Sequence, residues 1–524
     1  MKRIGVPILF MLFLISEYFL LLPLGMFWSS YFLLGAFIIL LIWCISFKTT
    51  SSNVKKNSAN INTLVGSTMI YLIITIIMLI CISPLFAAKS YKNILPVPVE
   101  KQFSKVVQPF DITKAPIVTK ETAMQIADKS VSQEGTIGSM SEINDITLQN
   151  VNGNLYWIAS LEYHGFFAWL NNKNLGTSYI MVNANTKECK LVKANIKYQP
   201  GAFLNQDLAR KLFFTNMGYG YTDFTFEVDD NGHSYWTASV YKNTVGFNGS
   251  VVIGAALVNA ETGEAKIYSV KDTPSWVDRI QPEDLVVRNI NWRGKYINGF
   301  SPFNNNNKTK TTDGTGIVYN NGKCYYYTGI TSIGKDQSTL GFYLIDTRTM
   351  ETTFFKMSGA TETAAISSAE GKVQNLGYKG SFPILMNVEN APTYFVPLQD
   401  KNDLTKLYAM VSVQDYTIIA TGETVDACKE AYVQALFSQN KLINSKGEQK
   451  KLTGIVKRIG SYIQQGNSFY TFQLDNSNLI FIAPVNQSAE LPMTKEGDTV
   501  TITYVDSAAT SAATSAFDNT LIRP

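Results

Sequence analysis

A turn followed by an aromatic pair recurs four times along this chain, and that recurrence constrains the fold more than any other feature. Its clearest copy covers residues 225–268, reading TFEVDDNGHSYWTASV and, further on, VVIGAALVNAETGEAKIY. Alternating apolar runs flank Asn231-Gly232, the composition of a type I′ hairpin turn, whose two central residues need φ > 0. A strand over 255–259 then turns at Glu261-Thr262-Gly263-Glu264 into 265–268, so the stretch reads as an antiparallel meander. Upstream stand Asn152-Gly153, Tyr156-Trp157 and YIMVNANTKECKLV; downstream stand Asn321-Gly322, Tyr325-Tyr326 and FYLIDTRTMETTFF. The last copy keeps Asn390 and Tyr394-Phe395 but has Ala391 where the others carry the turn glycine. With Tyr235-Trp236, the aromatic pair stands at one offset in every copy, and the interval to the later strand (181–183, 257–259, 344–346, 410–412) shortens each time. Self-similarity of this kind marks stacked supersecondary units.

A helix with a capping signal precedes each meander. Thr119 opens KETAMQIADKSV, Asn205 opens QDLARKLFFTN, Gln281-Pro282 opens EDLVVRNI and Thr361 opens ETAAISSAEGKVQNL. A helix laid across one sheet face buries two apolar surfaces that a lone hairpin leaves wet. Strand alternation sends the members of each aromatic pair to opposite faces. Tyr156, Trp157, Tyr235, Trp236, Tyr325, Tyr326, Tyr394 and Phe395 are therefore the candidate contacts between repeats or with a partner.

The order helix (TKETAMQIAD), hairpin (NGNLYWIASLEY) and strand–turn–strand (YIMVNANTKECKLV) resembles the PepSY domain, a small α+β module of secreted and membrane-anchored bacterial proteins. The family's ending, a strand into D-x-x-T-G-E, is closest in Asn259-Ala-Glu-Thr262-Gly263-Glu264, and the likeness is best over 119–193 and 204–270. Copy three carries an inserted NNNNKTKTTD at 304–313, and copy four lacks the turn glycine. The resemblance implies a non-catalytic module that binds or inhibits a protein partner.

The chain has 524 residues, 46% of them hydrophobic and 16% charged, enough for several domains and a membrane portion. Residues 4–24, 28–47 and 64–86 are apolar runs of about the ~20 residues a spanning helix needs. Lys2, Arg3, Lys48, Lys55 and Lys56 mark the cytoplasmic side, so everything after residue 88 is expected outside it. A cleaved signal peptide is the competing reading of the first run, but no small-residue cleavage site stands before Gly25. Glu17 in the first run is an intramembrane charge, either functional or reaching the headgroups beside Tyr18. The expected order is then a stalk at 89–118, repeats at 119–203, 204–280, 281–360 and 361–422, a helix and linker at 423–449, a small four-stranded β domain at 450–506 and a low-complexity tail at 507–524.

Catalytic signatures are missing from the sequence. Its two histidines, His164 and His233, leave little for acid–base work, and there is no H-E-x-x-H and no G-x-S-x-G. S-x-x-K occurs at Ser52/Lys55, Ser332/Lys335 and Ser438/Lys441 without K-T-G or S-D-N partners. Asp229-Asp230-Asn231-Gly232 lacks the spaced ligands and final Glu of a calcium loop and reads as a turn. Cys44, Cys81, Cys189, Cys324 and Cys428 are too sparse for a disulfide framework. Of 45 basic residues six precede residue 90, and of 41 acidic ones only Glu17 does. The remainder carries 39 against 40, with no basic footprint for nucleic acid.

The expected fold class is therefore α+β: N-terminal transmembrane helices, tandem helix-plus-antiparallel-meander (PepSY-like) repeats and a small C-terminal β barrel (OB-like). The expected function is a multi-pass, membrane-anchored, extracytoplasmic binding, scaffolding or regulatory protein of the bacterial cell envelope. It would be non-catalytic, with an envelope protein partner, no nucleic acid, no metal and no cofactor. One alternative is an envelope hydrolase or peptidase without a recognisable motif, which a solvent-facing cleft lined by clustered carboxylates would favour. The other is a sensor or accessory subunit of a membrane complex, favoured if Glu17 turns inward among polar interhelical contacts.

Overall fold

Four antiparallel sheets, each beside the helix that precedes it in the chain, make up most of the computed structural model. It describes residues 5–26, 35, 58–109, 111, 116–134, 138, 140–334, 338–439, 449–464, 467–505 and 511–522. The helices are α1 (Gly5–Leu20), α2 (Ser58–Cys81), α3 (Pro84–Lys92), α4 (Phe103–Val106), α5 (Lys120–Gln133), α6 (Gly165–Asn172), α7 (Leu208–Thr215), α8 (Glu283–Lys295), α9 (Glu362–Lys372) and α10 (Val425–Ser438).

Sheet I holds β2 (Ser141–Ile143), β3 (Thr147–Val151), β4 (Asn154–Tyr163), β5 (Thr177–Asn183) and β6 (Cys189–Ile196). Sheet II holds β7 (Gly220–Val228), β8 (Ser234–Val245), β9 (Asn248–Asn259) and β10 (Ala265–Ser269). Sheet III holds β11 (Thr309–Thr311), β12 (Gly316–Asn320), β13 (Lys323–Ser332), β14 (Ser338–Asp346) and β15 (Thr352–Ala360), with β1 (Val99–Glu100) added in parallel to β15. Sheet IV holds β16 (Lys379–Gly380), β17 (Ile384–Val388), β18 (Ala391–Gln399), β19 (Thr405–Ser412) and β20 (Ile419–Gly422).

Packing alternates sheets and helices. Ala123 and Ala127 of α5 cover Ile180 and Val182 of sheet I. Leu208 and Leu212 of α7 share a cluster with Ile158 of sheet I and Trp236 of sheet II. Leu285 of α8 meets Leu257 of sheet II, whereas Val286 and Ile290 meet Tyr326 and Ile345 of sheet III. Ala365 and Ala369 of α9 lie among Phe342 of sheet III and Tyr394 of sheet IV, and α10 covers the far face of sheet IV through Cys428 and Tyr432. Each such large side chain contributes roughly 1.5–3 kcal/mol by leaving water. The Thr122 hydroxyl donates to the Asp403 carbonyl (3.0 Å) and the Gln399 amide to the Thr119 hydroxyl (2.8 Å). The fourth unit thus touches the helix of the first, and the contacts close a ring.

Local chemistry explains the elements. Thr119, Thr361 and Thr424 accept N-cap hydrogen bonds from Thr122, Ala364 and Ala427. Asp207, not Asn205, caps α7, because residues 204–206 form a short 3-10 turn first. The side chains of Asn183, Asn259 and Asp346 each accept two backbone N–H groups from the turn that follows, an Asx turn repeated in three units. Asn152-Gly153 and Asn321-Gly322 take φ > 0 at both positions, as a two-residue type I′ turn requires. In unit two the turn differs from expectation. Asp229 to His233 form a longer loop, in which the Asp229 carboxylate accepts from the N–H groups of Asn231 and His233.

Unit four is shifted by one residue against the sequence alignment. Its turn is Glu389-Asn390, both at φ > 0, and Ala391 already opens β18. Trp157, Trp236 and Tyr326 pair with Val182, Val258 and Ile345; in unit four it is Tyr394, not Phe395, that pairs with Val411. A one-residue slip exchanges the two faces. Tyr394 accordingly lies beside α9 and Phe395 beneath α10.

The expected fold class needs correction at both ends. Among the described residues no single helix is long and apolar enough to cross a membrane. One bent pair, Thr68–Cys81 with Pro84–Lys92, passes together with a 50° break. The multi-pass topology, the extracytoplasmic location and the integral membrane partner lose their basis; the second expected span, 28–47, lies outside the described residues save Gly35. A few residues near the ends of these runs touch protein, whereas Met11, Phe19, Ile70 and Ile77 stay exposed. Arg210 of α7 stands 4.4 Å over the Tyr18 ring and donates to the Tyr18 carbonyl (3.1 Å), while Glu17 is 7% exposed. The Tyr91 ring of α3 lies 4.6 Å from that of Trp292 of α8, tilted by 50°. Residues read as a stalk likewise enter the core, with Phe103 against Phe355.

The C-terminal unit has five strands rather than four: β21 (Gln449–Gln464), β22 (Asn467–Leu474), β23 (Ile480–Pro484), β24 (Thr499–Val505) and β25 (Ser511–Asn519). They pair in the order β21-β22-β23-β25-β24 and close through β21–β24. Residues read as a tail supply the fifth strand, whose Ala512 and Phe517 are buried. The architecture is a mixed α and β fold of several antiparallel sheets.

Candidate functional site

Six of the eight sequence-nominated aromatics, and Trp157 with Tyr235 at its margins, serve internal packing. Trp157 donates to the Val118 carbonyl (2.8 Å), and Trp236 lies 5.4 Å from Phe226. Tyr156 packs where sheets I and II meet, Tyr235 stands 5.0 Å from Trp276, and Tyr325 borders the core between sheets III and IV. The hydroxyls of Tyr326 and Tyr394 donate to the carbonyls of Gln281 and Ala360 (3.1 Å each), and Phe395 stacks on Tyr408 at 5.5 Å. The structure brings none of these rings together as one surface. Of the S-x-x-K pairs, Ser52, Lys55, Lys335 and Lys441 fall outside the described residues.

The chemistry gathers elsewhere, where sheets II and III meet at the start of α8. A cleft of about 650 Å³ is lined by Asp223, Glu283, Asp284, Arg288 and the threonines 311, 312 and 315. Asp223 comes from a β-bulge in β7, between Thr222 and Thr225, and its φ is +55°. Bulges of this kind re-aim a side chain out of the regular alternation. Glu283 and Asp284 occupy the first turn of α8, where their charge also complements the helix dipole. All three carboxylates face solvent.

Behind the cleft lies a buried polar network. Glu227 of β7 is 2% exposed; its Oε1 accepts from the Thr237 hydroxyl (3.1 Å), and its Oε2 has no hydrogen-bond partner among the described residues. Asp278 Oδ2 accepts from the Asn150 N–H (2.7 Å) and the Tyr319 hydroxyl (2.9 Å). The segment carrying Asp278 and Arg279 is fixed from sheet III. Arg348 donates to the carbonyls of Thr273 (2.7 Å), Pro274 (2.8 Å) and Val277, and the Thr347 carbonyl accepts from the N–H groups of Ile280 and Gln281.

Electrostatics couples the two layers. Burial pushes the Glu227 carboxyl up to about 8, helped by Asp278 and opposed by Arg279. Burial raises Asp278 to about 6 against its hydrogen bonds and the charges of Arg279 and Arg348. Burial works against the Arg279 charge, but the surrounding Tyr326, Cys324, Tyr319 and Glu227 outweigh it and hold the guanidinium charged. In the cleft, burial raises Asp223, with Arg279 opposing and Asp284 and Asp145 adding to the rise. Glu283 is raised for the same first reason, against a hydrogen bond from Thr315 and the charge of Arg279. Asp223 and Glu283 are exposed at the surface, so solvent screens both shifts; what the cleft presents is two carboxyls side by side in the field of one buried cation.

Sequence reading missed all of these residues. Among the described residues no group of three His, Cys, Asp or Glu side chains could hold a metal ion.

No protein-family model matches the chain, and no curated protein matches it. The PepSY resemblance therefore does not hold. The residues that carried it, Asn-Gly turns and a T-G-E ending, are what turn geometry asks of any meander. Solved structures give only distant likenesses. A Trypanosoma rangeli sialidase bound to difluorosialic acid aligns at 10% identity over 72% of this chain and 53% of its own, with a TM-score of 0.19. The polysaccharide lyase Uly1 aligns at 10% identity over 70% and 75%, TM-score 0.18, and a B. subtilis levansucrase variant at 8% over 78% and 96%, TM-score 0.18. At such scores the likenesses assign neither fold nor activity. This chain spans about half the length of the sialidase.

Proposed function

We propose that the chain is a hydrolase working by carboxyl acid–base chemistry, in place of the membrane-anchored, non-catalytic scaffold expected from the sequence. The observation that carries this reading is the cleft in which Asp223, lifted out of β7 by its bulge, stands with Glu283, Asp284 and Arg288, with the charge of Arg279 acting on Asp223 and Glu283 from behind. Clustered carboxylates in a solvent-facing cleft are the arrangement that favours the hydrolase alternative.

The roles follow from the ordinary acidities. A glutamate starts above an aspartate, so Glu283 is assigned as the acid and Asp223 as the base. Glu283 then protonates the leaving group and Asp223 takes the proton of the attacking water. Arg279 stabilises the second negative charge, and the threonines of the cleft orient polar groups of the substrate.

The test is a hydrolysis screen of the full chain against chromogenic glycosides, esters and peptide amides. Any turnover found is expected to fall by about 10²–10⁴-fold in Glu283→Gln, the range for losing a general acid. Turnover that survives Glu283→Gln and Asp223→Asn unchanged would refute the assignment.

A further inference from the structure

Beside the cleft lies a second cavity of about 780 Å³, between sheet III and α9. Thr311 and Thr312 line both, so the segment 310–315 is a partition with one cavity on either side. Each volume falls within the roughly 300–1,000 Å³ of small-molecule sites.

Hydroxyl side chains dominate the lining of the second cavity, with one charge of each sign, Lys310 and Asp313, at its edge. Thr363 and Ser367 stand one helical turn apart on α9, next to Ser368, and Thr331 faces them from sheet III. Thr363 and Ser367 are exposed and Ser368 is half-buried, so their hydroxyls face the cavity's solvent. The ring of Tyr416, 52% exposed, forms part of the wall. Beneath them Glu362 is fully buried, with Oε1 accepting from the Gly329 N–H (2.8 Å), which fixes the start of α9 against sheet III.

Solvent-facing hydroxyls on one helix face beside an exposed aromatic ring match a ligand that offers many hydroxyls and a flat apolar face. A pyranose ring offers both. We infer that the cavity beside α9 is a second subsite for a neutral oligosaccharide, which runs from the Asp223–Glu283 cleft across residues 310–315 and stacks a distal ring on Tyr416. The inference rests on the hydrolase reading only for where the chain would be cut; the binding itself does not require it.

The experiment titrates the full chain with dimers, tetramers and hexamers of β-1,4-linked N-acetylglucosamine and of α-1,4-linked glucose, by calorimetry. In at least one series the tetramer is expected to bind about tenfold more tightly than the dimer, and Tyr416→Ala to remove that advantage while leaving dimer affinity in place. Ser367→Val gives a second, conservative probe of the same wall and is expected to weaken the tetramer alone. Equal affinities at all lengths, or a Tyr416→Ala variant that matches the parent throughout, overturn the subsite. The hydrolase reading fails separately, if a bound oligosaccharide is cut as fast by Glu283→Gln as by the parent. If no oligosaccharide binds but Glu283→Gln abolishes turnover of an ester or amide, the subsite is refuted and the catalytic assignment stands.

Discussion

Replacing Glu227 by Gln should make the protein more stable in alkaline solution, although it alters a buried hydrogen-bonded side chain. Glu227 carries the ordinary carboxyl value of 4.5 when unfolded and about 8 in the fold. A carboxyl raised on folding favours the neutral form. Its penalty is absent below the unfolded value, grows as pH rises, and is complete above the folded one. The interval from 4.5 to about 8 corresponds to about 5 kcal/mol at ~1.4 kcal/mol per pH unit. That is a ceiling, because Arg279 and Asp278 respond to the same charge. Gln keeps the oxygen that accepts from Thr237 and cannot ionise. Parent and variant should therefore agree within about 1 kcal/mol near pH 5 and diverge by several kcal/mol near pH 9. Urea unfolding of the full chain across that range measures the difference. Tryptophan fluorescence follows the overall transition through the chain's seven tryptophans, of which Trp236 packs on Phe226 next to Glu227. Parallel pH profiles for the two proteins would refute the argument, since they would mean that Glu227 is not held neutral by burial.

Two further expectations follow. Asp284 raises both Asp223 and Glu283 through its charge, so Asp284→Asn should lower both values and move the acid limb of any pH–rate profile to lower pH; an unmoved limb would contradict the coupling. Gly153→Val in the type I′ turn of unit one should cost roughly 1–3 kcal/mol, because a β-branched residue cannot take φ > 0 without strain, whereas Asn390→Gly in unit four should be neutral or mildly favourable in thermal melts.

The strands were legible where the sequence contrasts polar with apolar residues and where a turn demands a particular dipeptide. Asn152-Gly153 and Asn321-Gly322 show this, and so do the Asx turns at Asn183, Asn259 and Asp346. Unit four was misaligned because Tyr394 and Phe395 are both aromatic and both wholly buried, so nothing in the pair distinguishes one face from the other. The apolar N-terminal runs were read as spans from hydrophobicity alone. Among the described residues no single helix passes as a span, most of their large side chains, Met11, Phe19, Ile70 and Ile77 among them, stay exposed, and only the run ends meet protein. Arg210 above Tyr18, and Trp292 against Tyr91, are protein contacts that no composition window contains.

The candidate site was illegible in any single stretch, yet a comparison of the units carries a trace of it. Paired with the first aromatic of each unit, Gln149 faces Tyr156, Glu227 faces Tyr235 and Val318 faces Tyr325. Allowing for the one-residue shift, the fourth member is Met386, which faces Thr393. The same structural position is thus polar in units one and two and apolar in three and four. Sheet II is covered by α7 on one face and α8 on the other, so Glu227, in the regular part of β7, has no solvent side to turn to, whereas the bulge carries Asp223 out to the surface. Such a residue persists only if its charge is suppressed or matched, and here both occur, through burial and through Arg279. Gln149 completes the junction, exchanging hydrogen bonds with Val228 at 3.0 and 3.1 Å. A repeat that closes on itself brings unlike residues of like positions to shared junctions. In this chain the departures from the repeat, Gln149, Glu227 and the bulge at Asp223, all fall where the first two units adjoin the segment leading into α8.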